Sequence, residues 1–382
     1  MALSHRERVI RTLSHQEPDR VPFDLGGTVN SSIHIEEYQK LKAHFGIEAE
    51  DTIIHKMMQT ALVHEPVLEA LDIDFRPVLP GPPDNVADTP VGEDGYQDEW
   101  GVVRRKPPGT LYYDLVKSPL AGPITIQDIV NFPMPDPHDP GYTRGLRDKA
   151  LNLRQNTDYA LVLRMPAPFV HVTQYLRGFE DWFIDVASDE KLAGALFDAV
   201  VEQSSALAEE LLKACGDLVD IVATADDMGS QNGPLVSPEM YRRLFKPRHK
   251  NFFDTVKKYT KAFIHFHSCG SIYKLIDDFI DVGVDVLNPI QVAAKNMDSI
   301  ILAPEFGDRL SFWGGIDSQR VLPFGTTEDV KAEVKRRIKD FAPGGGYILG
   351  AVHDIQPGVP VENIIAIYEA GKEYGRYPIA LE

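Results

Sequence analysis

The chain has very few cysteines, since only Cys215 and Cys269 occur among its 382 residues. Two thiols cannot build the disulfide framework on which small secreted domains depend, so each cysteine has to be interpreted by itself. Cys215 ends a helical pattern beside Gly216, where a small buried residue is the ordinary interpretation. Cys269 lies in the stretch AFIHFHSCGSI together with His265 and His267. Cys269 is therefore the cysteine whose neighbours could take part in metal binding or catalysis with it.

The sequence also lacks long apolar runs and an excess of basic residues. No segment approaches the length of a membrane-spanning helix, and the start MALSHRERVIRTL carries charges where a signal peptide would be apolar. We therefore expect a cytoplasmic protein without a membrane partner. The 39 basic and 57 acidic side chains give a formal net charge of -18, which would repel nucleic acid. We expect a small-molecule or protein partner, and a homodimer as the commonest arrangement of soluble homo-oligomers.

No glycine-rich nucleotide-binding signature follows any strand pattern. Short apolar runs alternate instead with longer helical patterns, which indicates a parallel sheet covered by helices. Counting RVPFDL and DIDFRPVL near the start, eight strands are predicted, and this number favours an α/β fold of the TIM (β/α)8 barrel type. We expect one domain over residues 1–382 with an N-terminal helical extension. A β-hairpin is expected within residues 92–120, where EWGVVRR and TLYYDLV flank a Pro-Gly turn.

The predicted strands end in polar residues although their middles are apolar. In a TIM barrel the chemistry gathers at the barrel mouth, which is the opening at the carboxyl ends of the strands. Helix capping or turn formation could explain any one of these residues taken singly. For Asp24, which precedes two glycines, a turn and a functional role both remain open. The strand-end candidates are Asp24, Asp226, Asp227, His267, Cys269, Asn288, Asp317, His353 and Asp354.

Two of these positions have the character of a metal site. Alternate side chains of a strand point the same way, so His265, His267 and Cys269 share one face, with His267 and Cys269 nearest the mouth. A thiolate and an imidazole can bind one Zn²⁺, with His353 as a third ligand and the fourth position open for catalysis. The same pair is also compatible with a buried thiol beside core histidines. His265 is expected to support the site rather than to bind the ion.

Several segments together resemble the uroporphyrinogen decarboxylase superfamily, and within it the branch of cobalamin-dependent methyltransferases. The segments are QEPDRVPF, DDMGSQNGPLVSPEMYRRLFKPRHK, HFHSCGSIYKLIDDFIDVGVDVLNPIQ, FWGGID and HDIQPGVPVENI. The resemblance implies a TIM barrel, and it implies zinc bound by the His-x-Cys pair and a distant cysteine. No cysteine follows Cys269 here. Aligning the closing P-x-E-N-I phrase at 360–364 places His353 at that position, where a neutral imidazole would leave the ion more Lewis-acidic.

The sequence departs from true uroporphyrinogen decarboxylases after the first strand. Those enzymes carry an Arg-Gln-Ala-Gly-Arg segment there for the acidic tetrapyrrole, whereas the corresponding FDLGGTVNSS has no basic residue. A porphyrinogen substrate is therefore disfavoured. The resemblance implies instead methyl transfer between a small methylated substrate and the cobalt of a corrinoid (cobalamin). The chain is not expected to contain a corrinoid-binding module, so the corrinoid would come on a partner protein or as a free cofactor.

The other candidates receive roles within this hypothesis. Asp226 or Asp227 would orient a ligand histidine or handle a proton, with a strand-end turn as the alternative for this pair. Gln231 and Asn288 are expected to be polar contacts to the substrate at the mouth. Asp24 is assigned either to the substrate site or to a turn.

An aromatic cluster after the strand YALVLRM suggests a substrate. Phe169 and His171 could line an apolar pocket for a methoxylated ring, together with Tyr175 and with two residues that are also typical of helix core, Trp182 and Phe183. Two other functions remain open from the sequence. One is a decarboxylase or lyase that uses neither zinc nor corrinoid, and the other is a non-catalytic homologue that binds a corrinoid protein.

Overall fold

A curled parallel sheet forms the centre of the computed structural model, which describes residues 3–380. All neighbouring strands are parallel, as in the register that pairs His265 with Ala223 on one side and with Val286 on the other. Most of the strands lie within apolar runs, because both faces of a covered parallel strand are buried. The seven strands follow one another around the sheet in chain order: Phe75–Val78, Ala160–Arg164, Ile221–Ala225, Phe263–His267, Val286–Asn288, Ser311–Trp313 and Tyr347–Ile348.

A short extended segment around Phe23 closes the sheet between its two outermost strands. Phe23 forms a parallel bridge with Leu349, and the Leu349 N–H donates to the Pro22 carbonyl at 2.9 Å. On the other side, the Asp74 N–H donates to the Phe23 carbonyl at 3.0 Å. The predicted strand RVPFDL is reduced to isolated bridges at Arg20 and Phe23, since Pro22 has no N–H to extend the ladder. Eight segments therefore surround the core, and the predicted TIM-type α/β fold is confirmed.

The first helix, His5–Leu13, closes the barrel at the amino ends of the strands. Ser4 and Glu7 form a capping box at its start. The Arg6 N–H donates to Asp158 O at 2.7 Å, just before the strand Ala160–Arg164 begins. Val9 and Leu13 of this helix are buried in one cluster with interior residues of the barrel, which are Phe75, Ala160, Val162, Ile221, Ala223, Val286, Trp313 and Ile348. The barrel is thus open only toward its mouth.

Helices cover the outside of the sheet. In the helix Thr327–Phe341, a capping box of Thr326 and Asp329 fixes the start, and Val330, Val334 and Ile338 are buried one turn apart, as the sequence predicts. Within residues 3–380, no helix combines the length and the apolar character that crossing a membrane requires. Besides the two helices already named, the α-helices are Ile35–His44, Glu65–Leu71, Ile126–Val130, Leu146–Asn156, Val170–Arg177, Phe179–Ser188, Glu190–Cys215, Pro238–Met240, Lys246–Tyr259, Ile276–Val282, Ser299–Phe306, Val321–Phe324 and Val361–Tyr374.

The insertion before the main body is larger than predicted. Instead of one hairpin it is a four-stranded antiparallel sheet, in which only the last two strands match the predicted pair. The first two strands are three residues long, which is too short for alternation to be visible in a sequence. A second small pair, Ile53–His55 with Thr60–Ala61, also precedes it. The strands of the inserted sheet are Thr89–Val91, Gly95–Gln97, Val103–Arg105 and Asp114–Lys117.

Candidate metal centre

The three predicted metal ligands meet at the barrel mouth. His267 is the last residue of its strand, Cys269 follows it closely, and His353 lies in the bend after the strand Tyr347–Ile348. One donor atom from each residue lies within 4.8 Å of the other two, and His267 Nε2 is 3.2 Å from Cys269 Sγ. Donor atoms around one tetrahedral zinc ion are about 3.3–3.8 Å apart. Small side-chain rotations would therefore close this set around one ion, with a fourth position open.

Asn288 orients the imidazole of His267. The Asn288 Oδ1 lies 2.5 Å from His267 Nδ1, and the Asn288 Nδ2 donates to the Trp313 carbonyl at 3.1 Å. Because the amide oxygen can only accept, the proton of His267 sits on Nδ1 and the lone pair of Nε2 faces Cys269. Burial lowers the pKa of His267 to about 3. The ring is therefore neutral at ordinary pH, which is the form that binds metal.

Replacing Asn288 by alanine is expected to weaken zinc binding without removing a ligand. Loss of an outer partner of a metal-binding histidine typically costs about 10–100-fold in affinity. Competition with a chromophoric chelator measures the change, and Asn288→Asp, which keeps an acceptor for Nδ1, is the matched control. Equal zinc affinity in Asn288→Ala and the wild type would show that the hydrogen bond does not orient the ligand.

Asp227 holds the backbone of Cys269 in place, and its negative charge disfavours the thiolate form of Cys269 unless a cation lies nearby. The Cys269 N–H donates to Asp227 Oδ1 at 2.7 Å. Burial raises the pKa of the Cys269 thiol well above its usual value, and the negative charge of Asp227 raises it further. A thiolate at this position needs a positive charge beside it, which a zinc ion would supply. The chemistry of the donor set therefore fits a bound Zn²⁺.

His353 is held in place through the next residue. Asp354 is buried, and its Oδ1 accepts the Ser32 N–H at 3.1 Å while its Oδ2 accepts the Thr60 hydroxyl at 2.6 Å. Burial lowers the pKa of His353, so this ring is also neutral and able to bind metal. The ring centroids of His267 and His353 are 5.3 Å apart. The bend that carries the third ligand is thus tied to two segments near the start of the chain.

His265 lies below this set, inside the barrel. Its ring is buried and meets the Trp313 ring edge to face, with the centroids 4.9 Å apart. Among the described residues neither ring nitrogen has a hydrogen-bond partner. Burial lowers the pKa of His265 to about 3. It is a neutral packing residue under the site, in agreement with its predicted supporting position.

The adjacent residues Asp226 and Asp227 point in different directions and have different roles. Asp226 is fully buried, and its carboxylate accepts the backbone N–H groups of Phe169 and His171, both at 3.0 Å. His249 Nε2 lies 3.2 Å from the same carboxylate. Asp227 is half-buried and faces the ligands, with Oδ1 3.9 Å from His267 Nε2. Only Asp227 is therefore placed for proton transfer, whereas Asp226 performs the turn-forming role that the sequence left open.

Asp226→Ala is expected to destabilise the fold rather than to change the chemistry. The substitution leaves two buried N–H groups and a buried histidine without an acceptor, which should lower the free energy of unfolding by about 3 kcal/mol. Guanidinium denaturation measures the loss, and Asp227→Asn is the control because its side chain is partly exposed and should lose less. A larger loss of stability in Asp227→Asn than in Asp226→Ala would contradict this division of roles.

His171 forms an ionic pair with Asp227. Its Nε2 lies 3.4 Å from Asp227 Oδ2, and its ring stacks on Tyr175 with centroids 6.2 Å apart. Burial lowers the pKa of His171, but the hydrogen bond and the charge of Asp227, with the charge of Asp226, raise it to about 9. The carboxylate of Asp227 thus favours the protonated form of His171, whose Nε2 also lies 3.2 Å from the Asp227 backbone nitrogen.

The remaining predicted residues lie away from the ligand set or have structural partners. Asp24 is buried and accepts the Trp313 indole N–H at 2.8 Å and the Gly27 N–H at 2.8 Å, so it organises a turn. Gln231 is exposed and donates to Ala293 O at 2.8 Å, which links two loops. Phe169 differs most from its predicted position. It is fully buried and packs against helix residues, with its ring centroid 5.1 Å from that of Phe197.

Three basic side chains near the mouth were not among the predicted site residues. Arg164 ends the strand Ala160–Arg164, His55 ends the strand Ile53–His55, and Arg104 belongs to the inserted sheet. The signal for Arg164 was present in the sequence, because it is a cation at the last position of an apolar strand run. Nothing comparable marks Arg104, since the sequence does not show how the insertion folds over the barrel.

A family model for uroporphyrinogen decarboxylase (URO-D) matches residues 117–374. The chain belongs to the uroporphyrinogen decarboxylase family. The match includes all three candidate metal ligands and the strand that carries Arg164. Within the family, this chain has the barrel but lacks basic residues in FDLGGTVNSS after the first strand segment.

Two curated proteins are similar to parts of this chain. The chain is 30% identical over 177 residues to the methylcobamide:CoM methyltransferase MtaA of Methanosarcina barkeri, a match that covers 46% of this chain and 48% of the relative. It is 30% identical over 63 residues to a uroporphyrinogen decarboxylase of Thioalkalivibrio sulfidiphilus, covering 16% of this chain and 17% of the relative. The chain thus spans about half the length of the curated methyltransferase that it matches.

A solved structure supports the fold over almost the whole chain. A methyltransferase from Methanosarcina mazei superposes with a TM-score of 0.69 at 20% sequence identity, covering 97% of this chain and 99% of that one. At this identity the comparison establishes the shared architecture of the family. The two proteins therefore share the fold.

Proposed function

We propose that this member of the uroporphyrinogen decarboxylase family is a zinc-dependent methyltransferase. It moves a methyl group between a small methylated substrate, such as a methoxylated aromatic compound, and the cobalt of a corrinoid. The observation that carries the proposal is the cluster of His267, Cys269 and His353, whose donor atoms lie within 4.8 Å of one another at the open end of the barrel. The resemblance to a methylcobamide:CoM methyltransferase supports it.

The chain's own residues bind, orient and hold a proton in this reaction. His267, Cys269 and His353 would hold the zinc, while Asn288 fixes the ring of His267. In demethylation the bond between the methyl carbon and the substrate heteroatom breaks, the methyl group goes to cobalt, and the bonding electrons stay on the heteroatom. Zinc, when bound, supplies positive charge that stabilises those electrons. The proton held by His171 beside Asp227 can then neutralise the heteroatom.

The corrinoid is proposed to arrive on a partner protein or as a free cofactor. Corrinoid domains bind cobalt through a D-x-H-x-x-G pattern, and one stretch here, DPHDPG at 136–141, matches those letters. It lies in a turn-rich connection, where Asp139 accepts the N–H groups of Asp84, Asn85 and Gly141. His138 is exposed and 3.5 Å from Glu210. This segment is a surface turn and not a corrinoid module.

Metal analysis and a methyl-transfer assay test the proposal together. The purified protein should contain about one zinc ion per chain, and it should methylate added cob(I)alamin in the presence of a methoxylated donor. Methyl transfer that persists after complete zinc removal would refute the zinc-dependent mechanism. Release of carbon dioxide from a carboxylic acid without zinc would favour the decarboxylase alternative, and tight corrinoid-protein binding without transfer would favour the non-catalytic homologue.

A further inference from the structure

Arg164 is a cation at the mouth without an anionic partner. It is the last residue of its strand, on the same alternating face as the interior residues Ala160 and Val162. Its Nη1 donates to the Ile54 carbonyl at 3.0 Å, and no carboxylate oxygen among residues 3–380 lies within 4.0 Å of its guanidinium. A guanidinium that is largely withdrawn from water without a counter-charge is unfavourable unless a ligand supplies one.

Arg104 brings a second guanidinium from the inserted sheet. Arg104 is only 5% exposed. Its Cζ lies 4.2 Å from the ring centroid of Tyr175, and Tyr175 in turn stacks on His171. Its nearest carboxylate is that of Asp98, with Nε 3.6 Å from Oδ2. This separation is longer than a hydrogen bond, so the donors of Arg104 remain available.

Contacts place both arginines beside the metal site. Arg164 pairs in register with Ala223, on the strand that leads to Asp227, and Tyr175 beneath Arg104 stacks on His171, whose Nε2 lies 3.4 Å from Asp227 Oδ2. Burial, together with the positive charges of Arg164 and Arg104, lowers the pKa of His55 to about 3. The carboxylate that acts on Arg164 from a distance is that of Glu99, which accepts the Tyr142 hydroxyl at 2.8 Å. Burial raises the pKa of Glu99, which reduces its ability to neutralise the arginine.

We propose that Arg164 and Arg104 bind an oxyanion of the substrate, so that the methylated substrate carries a carboxylate or sulfonate in addition to its methyl group. The inference rests on the proposed function, because it names the substrate class of the same site. The planar guanidinium fork matches a carboxylate or sulfonate oxygen pair. Tyr175 contacts both Arg104 and His171, so it holds the second guanidinium beside the site.

A binding experiment without corrinoid separates this inference from the methyl-transfer proposal. The zinc-loaded protein is titrated calorimetrically with the three isomeric methoxybenzoates, with 4-methoxybenzenesulfonate, and with uncharged anisole. At least one anionic probe should bind tenfold or more tightly than anisole, and Arg164→Met should abolish that preference. Comparison of the benzoates with the sulfonate identifies which oxyanion the site prefers.

The matched control is Arg105→Met. Arg105 is the strand neighbour of Arg104, but it is exposed and its Nη2 pairs with Asp94 Oδ1 at 2.7 Å. Affinity for the anionic probe should change less than twofold in this variant. Arg164→Lys keeps the charge and should recover part of the preference, and Arg104→Gln should weaken it if Arg164→Met fails to fold.

Two results would overturn the inference. One is the absence of any preference for the anionic probes over anisole in the wild type, including the case in which no anionic probe binds. The other is an unchanged preference in folded Arg164→Met and Arg104→Gln. Failure of methyl transfer in a protein that still binds the anionic probes through Arg164 would refute the proposed reaction alone.

Discussion

Replacement of Cys269 by alanine is expected to remove the zinc and, with it, methyl transfer. Four-ligand zinc sites bind with about 10–16 kcal/mol, or about 2.5–4 kcal/mol per ligand, so losing the thiolate should lower zinc affinity by about 10²–10³-fold. Cys269 is the only thiol near the mouth among the described residues, because Cys215 is buried at the end of the helix Glu190–Cys215. Elemental analysis after gel filtration measures the loss.

The second cysteine provides the control for this substitution. Cys215 Sγ lies 3.6 Å from the Leu211 carbonyl within its own helix, away from any histidine of the site. Cys215→Ala should therefore keep full zinc content and full activity. If Cys269→Ala retains zinc while Cys215→Ala loses it, the metal is bound elsewhere and the assignment of the site is wrong.

Replacement of His353 by alanine is expected to cost nearly as much zinc affinity, and replacement by cysteine is expected to restore it. The imidazole is one of three protein donors, so its removal should weaken binding by about 10²-fold. His353→Cys supplies a thiolate in its place, but the added negative charge makes the ion less Lewis-acidic. We expect this variant to bind zinc and to transfer methyl groups at least about tenfold more slowly, which corresponds to about 1.4 kcal/mol in the barrier.

Replacing zinc by cobalt(II) allows the number of thiolate ligands to be measured from the absorption spectrum. The thiolate-to-cobalt charge-transfer absorption should be about twice as strong in His353→Cys as in the wild type, because two thiolates replace one. Absorption of equal strength in the two proteins would mean that residue 353 does not reach the ion. Stepwise kinetics then assign the rate change to chemistry if the substrate affinity of the variant is unaltered.

The arrangement of strands was readable from the sequence, and so was the central part of the site. Apolar runs alternating with helices predicted the parallel sheet, and alternation along AFIHFHSCG placed His265 inside and His267 at the mouth. Strand closure was only partly predictable, because Pro22 removes the hydrogen-bond donor that a full strand would need. The order of the strands follows chain order, as expected for a barrel of the TIM type.

What the sequence could not show depends on the register between distant segments. Asn288 was expected to contact substrate, yet strand pairing sets it opposite His267, where it orients the ring. Asp226 and Asp227 are adjacent and chemically identical, so only the backbone direction after Ala225 decides that one supports a turn and the other faces the metal ligands. The position of Phe169 could not be predicted for a similar reason, because an aromatic residue near a strand end is equally compatible with a pocket and with the core.

The two halves of the mouth come from different parts of the chain. Strand ends of the barrel carry His267 and Asn288, and the bend after the last strand carries His353, whereas Arg104 belongs to the antiparallel sheet inserted at 89–117. Changes in the inserted sheet can therefore alter which compound is accepted while the reaction chemistry is preserved. Exchanging this segment between homologues offers a route by which one catalyst could diversify over many substrates, in evolution or in the laboratory.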